Sequence, residues 1–237
     1  MASIDRIISE TKKEEGGLSR SKTDSASAHP SGCQITSGGV SASDWHTNKG
    51  VTWDTFISNA SNLGYEANCR NFEVMPDNIW RSIAKKGYWD PFYLDQYNSQ
   101  AIANFIFQWA WGSGVNGAYR QLAKLANMKY GMNLSTSYSL SNAAKLKDKF
   151  NEVSKRNESG LLLDLKNSLK GFYVSLNQPA NEAGWLKRVD ELYEMSLNEI
   201  SNVGKLALHN IGKVLIGAAL ISATIYVIVR ISKSKNS

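Results

Sequence analysis

The chain has 237 residues and a formal charge of +6, with 42% hydrophobic and 20% charged residues. That length and mixture exclude a disordered polymer and suffice for one or two packed domains. The positive balance attracts polyanions, but no dense Lys/Arg stripe with interleaved aromatics occurs ahead of the C-terminus, which excludes nucleic acid as an expected partner.

Along the chain, residues 4–15 predict an amphipathic helix that Ser3 can cap. Set out at 100° per residue, Ile4, Ile7, Ile8, Thr11 and Glu15 fall within an arc of about 100°, with Glu14 at its edge. Gly16 and Gly17 then stop the helix, and "MASIDRIISETKKEE" contains no continuous apolar core of the signal-peptide kind. Residues 19–50, rich in Ser, Gly, Thr and Asn, predict an elaborated loop or irregular hairpin region. Cys33 and Cys69 form one disulfide if the domain is exported and two thiols if it is not. With no CxxC spacing, and with His29, His46 and His209 scattered, no metal site is expected.

A helix capped near Thr52 or Asp54 runs towards Gly64, and "MPDNIWRSIAKKGYW" predicts another with Ile79, Trp80 and Ile83 inward. "DQYNSQAIANFIFQWAWGSG" is apolar nearly all round and predicts the core helix. Helical patterns over residues 115–128, 141–155 and 158–177 follow, then a further amphipathic stretch through "NQPANEAGWLKRVDELYEMS". Val214 to Val229 carries no charge, and Lys213 and Arg230 flank it. This predicts a transmembrane helix at about 211–231 with a basic tail, anchoring the protein in a membrane. The expected fold class is mostly α, an α+β arrangement with a small irregular β region and that C-terminal span.

The chemistry centres on Glu15. A carboxyl group on the apolar side of a helix loses solvation when charged, and the helix C-terminus adds negative potential, so both keep it protonated. A protonated Glu near neutral pH is the general acid that glycosidic cleavage requires. Asp24, nine residues on across a loop, can supply the partner. From spacing alone a second reading also stands, with Glu15 in a salt bridge and Asp24 a solvated loop residue.

"EEGGLS", "HTNKGVT", "WRSIAKKGYWDP" and "AIANFIFQWAWGSG", in that order, resemble glycoside hydrolase family 108, lysozyme-like N-acetylmuramidases common as phage endolysins. "GFYVSLNQPANEAGWLKRVDEL" looks like the predicted peptidoglycan-binding domain that accompanies that family. The resemblance spans about residues 4–195. It implies a catalytic domain over 1–94 and a helical peptidoglycan-binding unit over 95–197, and the linker with the hydropathy-predicted span occupies 198–237. It also implies Glu15 as general acid, with Asp24 and Thr47 positioning the attacking water.

Two departures from the family pattern are visible. Leu18 stands where an aromatic follows E-G-G, and the compact stretch between the Asp and the Thr becomes "DSASAHPSGCQITSGGVSASDWHT". The long insert makes Asp44, three residues before Thr47, an alternative carboxylate. Trp45, His46 and Asn48 surround Thr47 and are candidates to line the sugar cleft. Tyr88, Trp89 and Trp109 are expected to be structural, while Trp185 and Arg188 are either core or wall contacts.

The expected function is a muramidase that cleaves the β-1,4 bond between N-acetylmuramic acid and N-acetylglucosamine with no cofactor, for phage lysis, phage entry or wall remodelling. Peptidoglycan and the membrane are the expected partners, with the globular part acting on the cell wall. The alternative is a non-catalytic peptidoglycan-binding or virion structural protein on the same fold.

Overall fold

A computed structural model of the chain describes residues 1–14, 16–22 and 24–201. Helix α1 (Asp5–Glu14) opens the fold. Of the stripe read from the sequence, Ile4, Ile7 and Thr11 face inward at 3% exposure or less and Ile8 is half-buried. The strands β1 (Leu18–Ser19), β4 (Thr47–Asn48) and β5 (Val51–Thr52) form one antiparallel sheet in the order β1–β4–β5. A separate hairpin pairs β2 (Ile35–Ser37) with β3 (Val40–Ala42).

Helices build the remainder. α2 (Trp53–Ala60) starts where the Thr52 side chain accepts from the Thr55 amide, and it leads through a 3-10 turn to Gly64 in the left-handed region. α3 (Cys69–Val74) is capped by Asn68 and was not evident in the sequence. α4 (Asp77–Ala84) follows Pro76 and buries Ile79, Trp80 and Ile83 as expected.

α5 (Gln100–Tyr130) is the core helix, and its backbone breaks at Gly114 (φ 72°, ψ 159°). α6 (Leu140–Ser175) breaks likewise at Asn157. Both breaks fall where the sequence separates one helical pattern from the next. Residues 179–201 are helical again. The N-terminus is fastened to the start of α5: the Ser3 amide donates to Gln100 Oε1 at 2.8 Å, and Gln100 Nε2 returns to the Ser3 carbonyl at 3.0 Å. Buried apolar side chains from Ala2 to Val189 form one core cluster. Trp89 and Trp109 lie within it at zero exposure.

The mostly helical architecture with a small β region agrees with expectation, but the membrane span is corrected. Among the described residues no helix is long and apolar enough to cross a membrane. The apolar run of α5 stops at Gly114, short of the ~20 residues a bilayer needs, and α6 carries charges along its length. The stretch 211–231 that prompted the expectation lies outside the described residues, as does Glu15. Neither a transmembrane fold nor a membrane-anchored location is retained.

Candidate active site

The long insert is closed at its base. The Ser31 amide donates to the Trp45 carbonyl at 2.8 Å, so residues 31–45 loop out and return. Within the loop Gly38 and Gly39, both at positive φ, form the two-residue turn between β2 and β3. A disulfide joins Cys33 to Cys69 at the start of α3, which resolves the open question of the cysteines.

Because the loop closes, the chain on either side of it comes together. The His46 amide donates to the Ser19 carbonyl at 3.1 Å, and Thr47 pairs with Ser19 on one side and Thr52 on the other. Asp24 and Thr47, the latter on the middle strand β4, are thereby gathered around His46 although they lie twenty-three positions apart in the chain.

His46 is the link. It is 1% exposed, with Nε2 3.2 Å from the Ser21 carbonyl and Nδ1 3.0 Å from Thr47 Oγ1. A carbonyl only accepts, so Nε2 carries a proton, and in the neutral ring Nδ1 accepts from the Thr47 hydroxyl. That fixes the hydroxyl rotor and directs the lone pairs of Oγ1 away from the ring, where they can accept a hydrogen bond. Asp24 Oδ2 stands 4.0 Å from the same Nδ1, while Oδ1 accepts from the Ala26 amide at 2.9 Å and caps a short 3-10 turn, Ser25–Ala28. The Asp24 side chain is 40% exposed, within reach of water. A hollow of about 230 Å³ opens beside it, lined also by His29, Thr52 and Asp54.

Asp44 is placed differently. Arg20 Nη2 donates to its Oδ2 at 2.9 Å, and Arg20 Nε makes an ion-pair contact with Oδ1, also at 2.9 Å. The Arg20 guanidinium lies 5.8 Å from the Trp45 ring centre. Asp44 thus fastens the returning strand to the chain after β1.

The other candidates around Thr47 face inward. Trp45 is 6% exposed, and its indole N–H donates to the Ile35 carbonyl at 3.0 Å. Asn48 is 2% exposed and gives both amide hydrogens to the end of α3, at Phe72 O (2.6 Å) and Glu73 O (2.8 Å). Lys49 Nζ continues this to the carbonyls of Val74 and Met75, and Trp80 Nε1 donates to the Lys49 carbonyl at 2.8 Å. The turn after Thr47 is therefore clamped from three directions.

The end of α1 is braced by α5 and α4. Gln108 Nε2 on α5 donates to Thr11 Oγ1 at 2.7 Å, and Thr11 Oγ1 donates to the Ile7 carbonyl at 3.1 Å. Lys12 pairs with Asp77 at 2.6 Å and lies 5.7 Å from the Trp80 ring centre. The roles of His46 and Gln108 were not evident in the sequence, because each depends on a partner 25 or 97 positions away.

Residues 8–114 match the model of the family described as Glycosyl hydrolase 108. The match ends at Gly114, where α5 breaks. No curated protein matches the chain. Among solved structures, that of SagA from Brucella abortus is similar at 15% identity with a TM-score of 0.54, over 82% of this chain and 93% of that one. At that identity the likeness is one of fold.

Proposed function

We propose that the protein is an N-acetylmuramidase acting on the glycan of peptidoglycan, a reading supported by the match of residues 8–114 to the glycosyl hydrolase 108 family. The observation that carries this reading is the convergence of Asp24, His46 and Thr47 at the base of a closed insert, beyond the end of α1. Glu15, next after the last residue of α1, is the general acid and protonates the glycosidic oxygen. Asp24 and the Thr47 hydroxyl hold the water that attacks the anomeric carbon from the opposite face, so the product is inverted. His46 orients Thr47 and touches no sugar. Trp45 and Asn48 hold the strand in place from within the core. Asp44 serves as the ion-pair partner of Arg20 rather than as the second carboxylate.

The test is purified full-length protein on purified peptidoglycan beside Glu15→Gln, following turbidity and new reducing ends. The parent releases muramic-acid reducing ends. The Gln form loses roughly 10²–10⁴-fold in rate, the contribution of a positioned acid. Equal rates for the two proteins would remove Glu15 from the mechanism. No release by either, with both sedimenting with the wall, would make this a binding protein.

A further inference from the structure

Lys49 stands at a position that favours other residues. A loop of two, Lys49 and Gly50, joins β4 to β5 at φ 48° and 72°. A two-residue hairpin loop with both φ values positive selects Asn, Asp or Gly at its first place, because other side chains are strained in the left-handed region. Gly50 follows that preference and Lys49 does not. Met75, which ends α3, is strained in the same way, at φ 39° with its side chain fully buried. A hydrogen bond joins the two residues, from Lys49 Nζ to the Met75 carbonyl at 2.9 Å. Backbone strain of this kind persists where the surrounding contacts hold it.

Those contacts use every polar group that Lys49 owns. Its amide donates to the Gly17 carbonyl at 3.2 Å. Its carbonyl accepts from the Trp80 indole on α4 at 2.8 Å. Its ammonium donates to the carbonyls of Val74, at 3.2 Å, and Met75. Asn48 takes the carbonyls of Phe72 and Glu73, so two adjacent side chains satisfy four consecutive carbonyls at the end of α3. Gly17 directly precedes β1 and lies two residues beyond Glu15, while Thr47 lies two residues before Lys49. One residue therefore joins the chain that leaves the E-G-G stretch, the hairpin that carries Thr47, α3 and α4. Its charge is spent on backbone carbonyls, and it does not line the hollow beside Asp24.

We propose that Lys49 is a positioning residue for the cleavage reaction: it sets the spacing between the chain leaving Glu15 and the Thr47 hydroxyl. The inference rests on the muramidase reading for the reaction it serves. The strained turn is the consequence of reach, since the α3 carbonyls need a long side chain that ends in donors. Reacting groups displaced by about 1 Å lose up to roughly 10²-fold in rate.

Asn is the discriminating replacement, because it suits the left-handed region and is too short to reach α3. The full-length parent, Lys49→Asn and Lys49→Arg are assayed on purified peptidoglycan for kcat and apparent KM, with melting curves and amide hydrogen exchange alongside. Lys49→Asn keeps the melting temperature, because the relieved turn offsets the lost hydrogen bonds, and keeps KM, because no substrate contact is removed. Its kcat falls about 10- to 100-fold. Lys49→Arg keeps a long cation with donors at its end and retains most of the rate. Parental kcat in Lys49→Asn overturns the proposal. So does a melting temperature that falls in step with kcat, which would make Lys49 part of the scaffold alone. Amide exchange separates this proposal from the muramidase reading. Residues 16–22 and 47–52 exchange faster in Lys49→Asn than in the parent, and unchanged exchange overturns the proposal whether or not the parent cleaves the wall. Faster exchange in the variant of a parent that releases no reducing ends sinks only the muramidase.

Discussion

His46 sits where both of its ring nitrogens are committed, and this sets what each neighbouring substitution does. Thr47→Ala removes the hydroxyl that Nδ1 orients, and the expected result is a fall in kcat of roughly 10²-fold, in the range of a single lost transition-state contact. Thr47→Ser keeps the hydroxyl and retains most of the rate. Asp24→Asn and Asp44→Asn separate the two carboxylates. The first should abolish turnover with little change in melting. The second should spare kcat and cost under about 1 kcal/mol, because the Arg20–Asp44 pair is partly exposed on both sides. At this scale the sequence was informative for residue types and poor for partners. The motif singled out Thr47 as a candidate. The inward packing of Trp45 and Asn48 was not, since it depends on which carbonyls of Ile35, Phe72 and Glu73 fold beneath them.

Among the elements, helices were read well because their signals are local. The stripe of α1, the proline before α4 and the breaks at Gly114 and Asn157 all follow from spacing and from residues that interrupt a helix. The strands were only a region, since two- and three-residue strands are too short to show alternation. What organises them is the closed loop and its bridge to α3. Replacing Cys33 and Cys69 with Ala should therefore lower stability by up to about 4 kcal/mol, from the chain entropy of a loop with a separation of 36. Denaturant melts of the bridged and Ala forms give the difference. Thr52→Ala, which removes the α2 cap, should cost about 1 kcal/mol by the same measurement.

For the whole molecule, ion pairs and buried phenols bound the working pH. Hydrogen bonds from Lys166 and Lys170 hold the Asp190 carboxyl below the usual carboxylate range. Burial pushes Asp95 up, but Lys85 and the Trp89 indole outweigh it and bring it below that range too. A carboxyl lowered on folding contributes stability above its unfolded value near 3.8, and this is lost as pH falls through the folded value. At the other end burial raises the phenols of Tyr97 and Tyr130 above 10.0. Stability they contribute is complete below that unfolded value and declines as pH rises past it, because the unfolded phenols ionise first. Melting temperature against pH should thus be flat from about 5 to 9 and fall outside pH 4 and pH 10. The membrane expectation failed at this scale because an uncharged run of residues establishes only hydropathy, and the described helices are long without being continuously apolar. The Cys33–Cys69 bridge also changes the molecule's covalent connectivity. The exposed Gly38–Gly39 tip lies inside the loop it closes, so a protease that cuts there opens a ring and releases no fragment. A nicked sample should run as one species without reductant and as two with it, while Thr47 stays tethered to both ends of the cut.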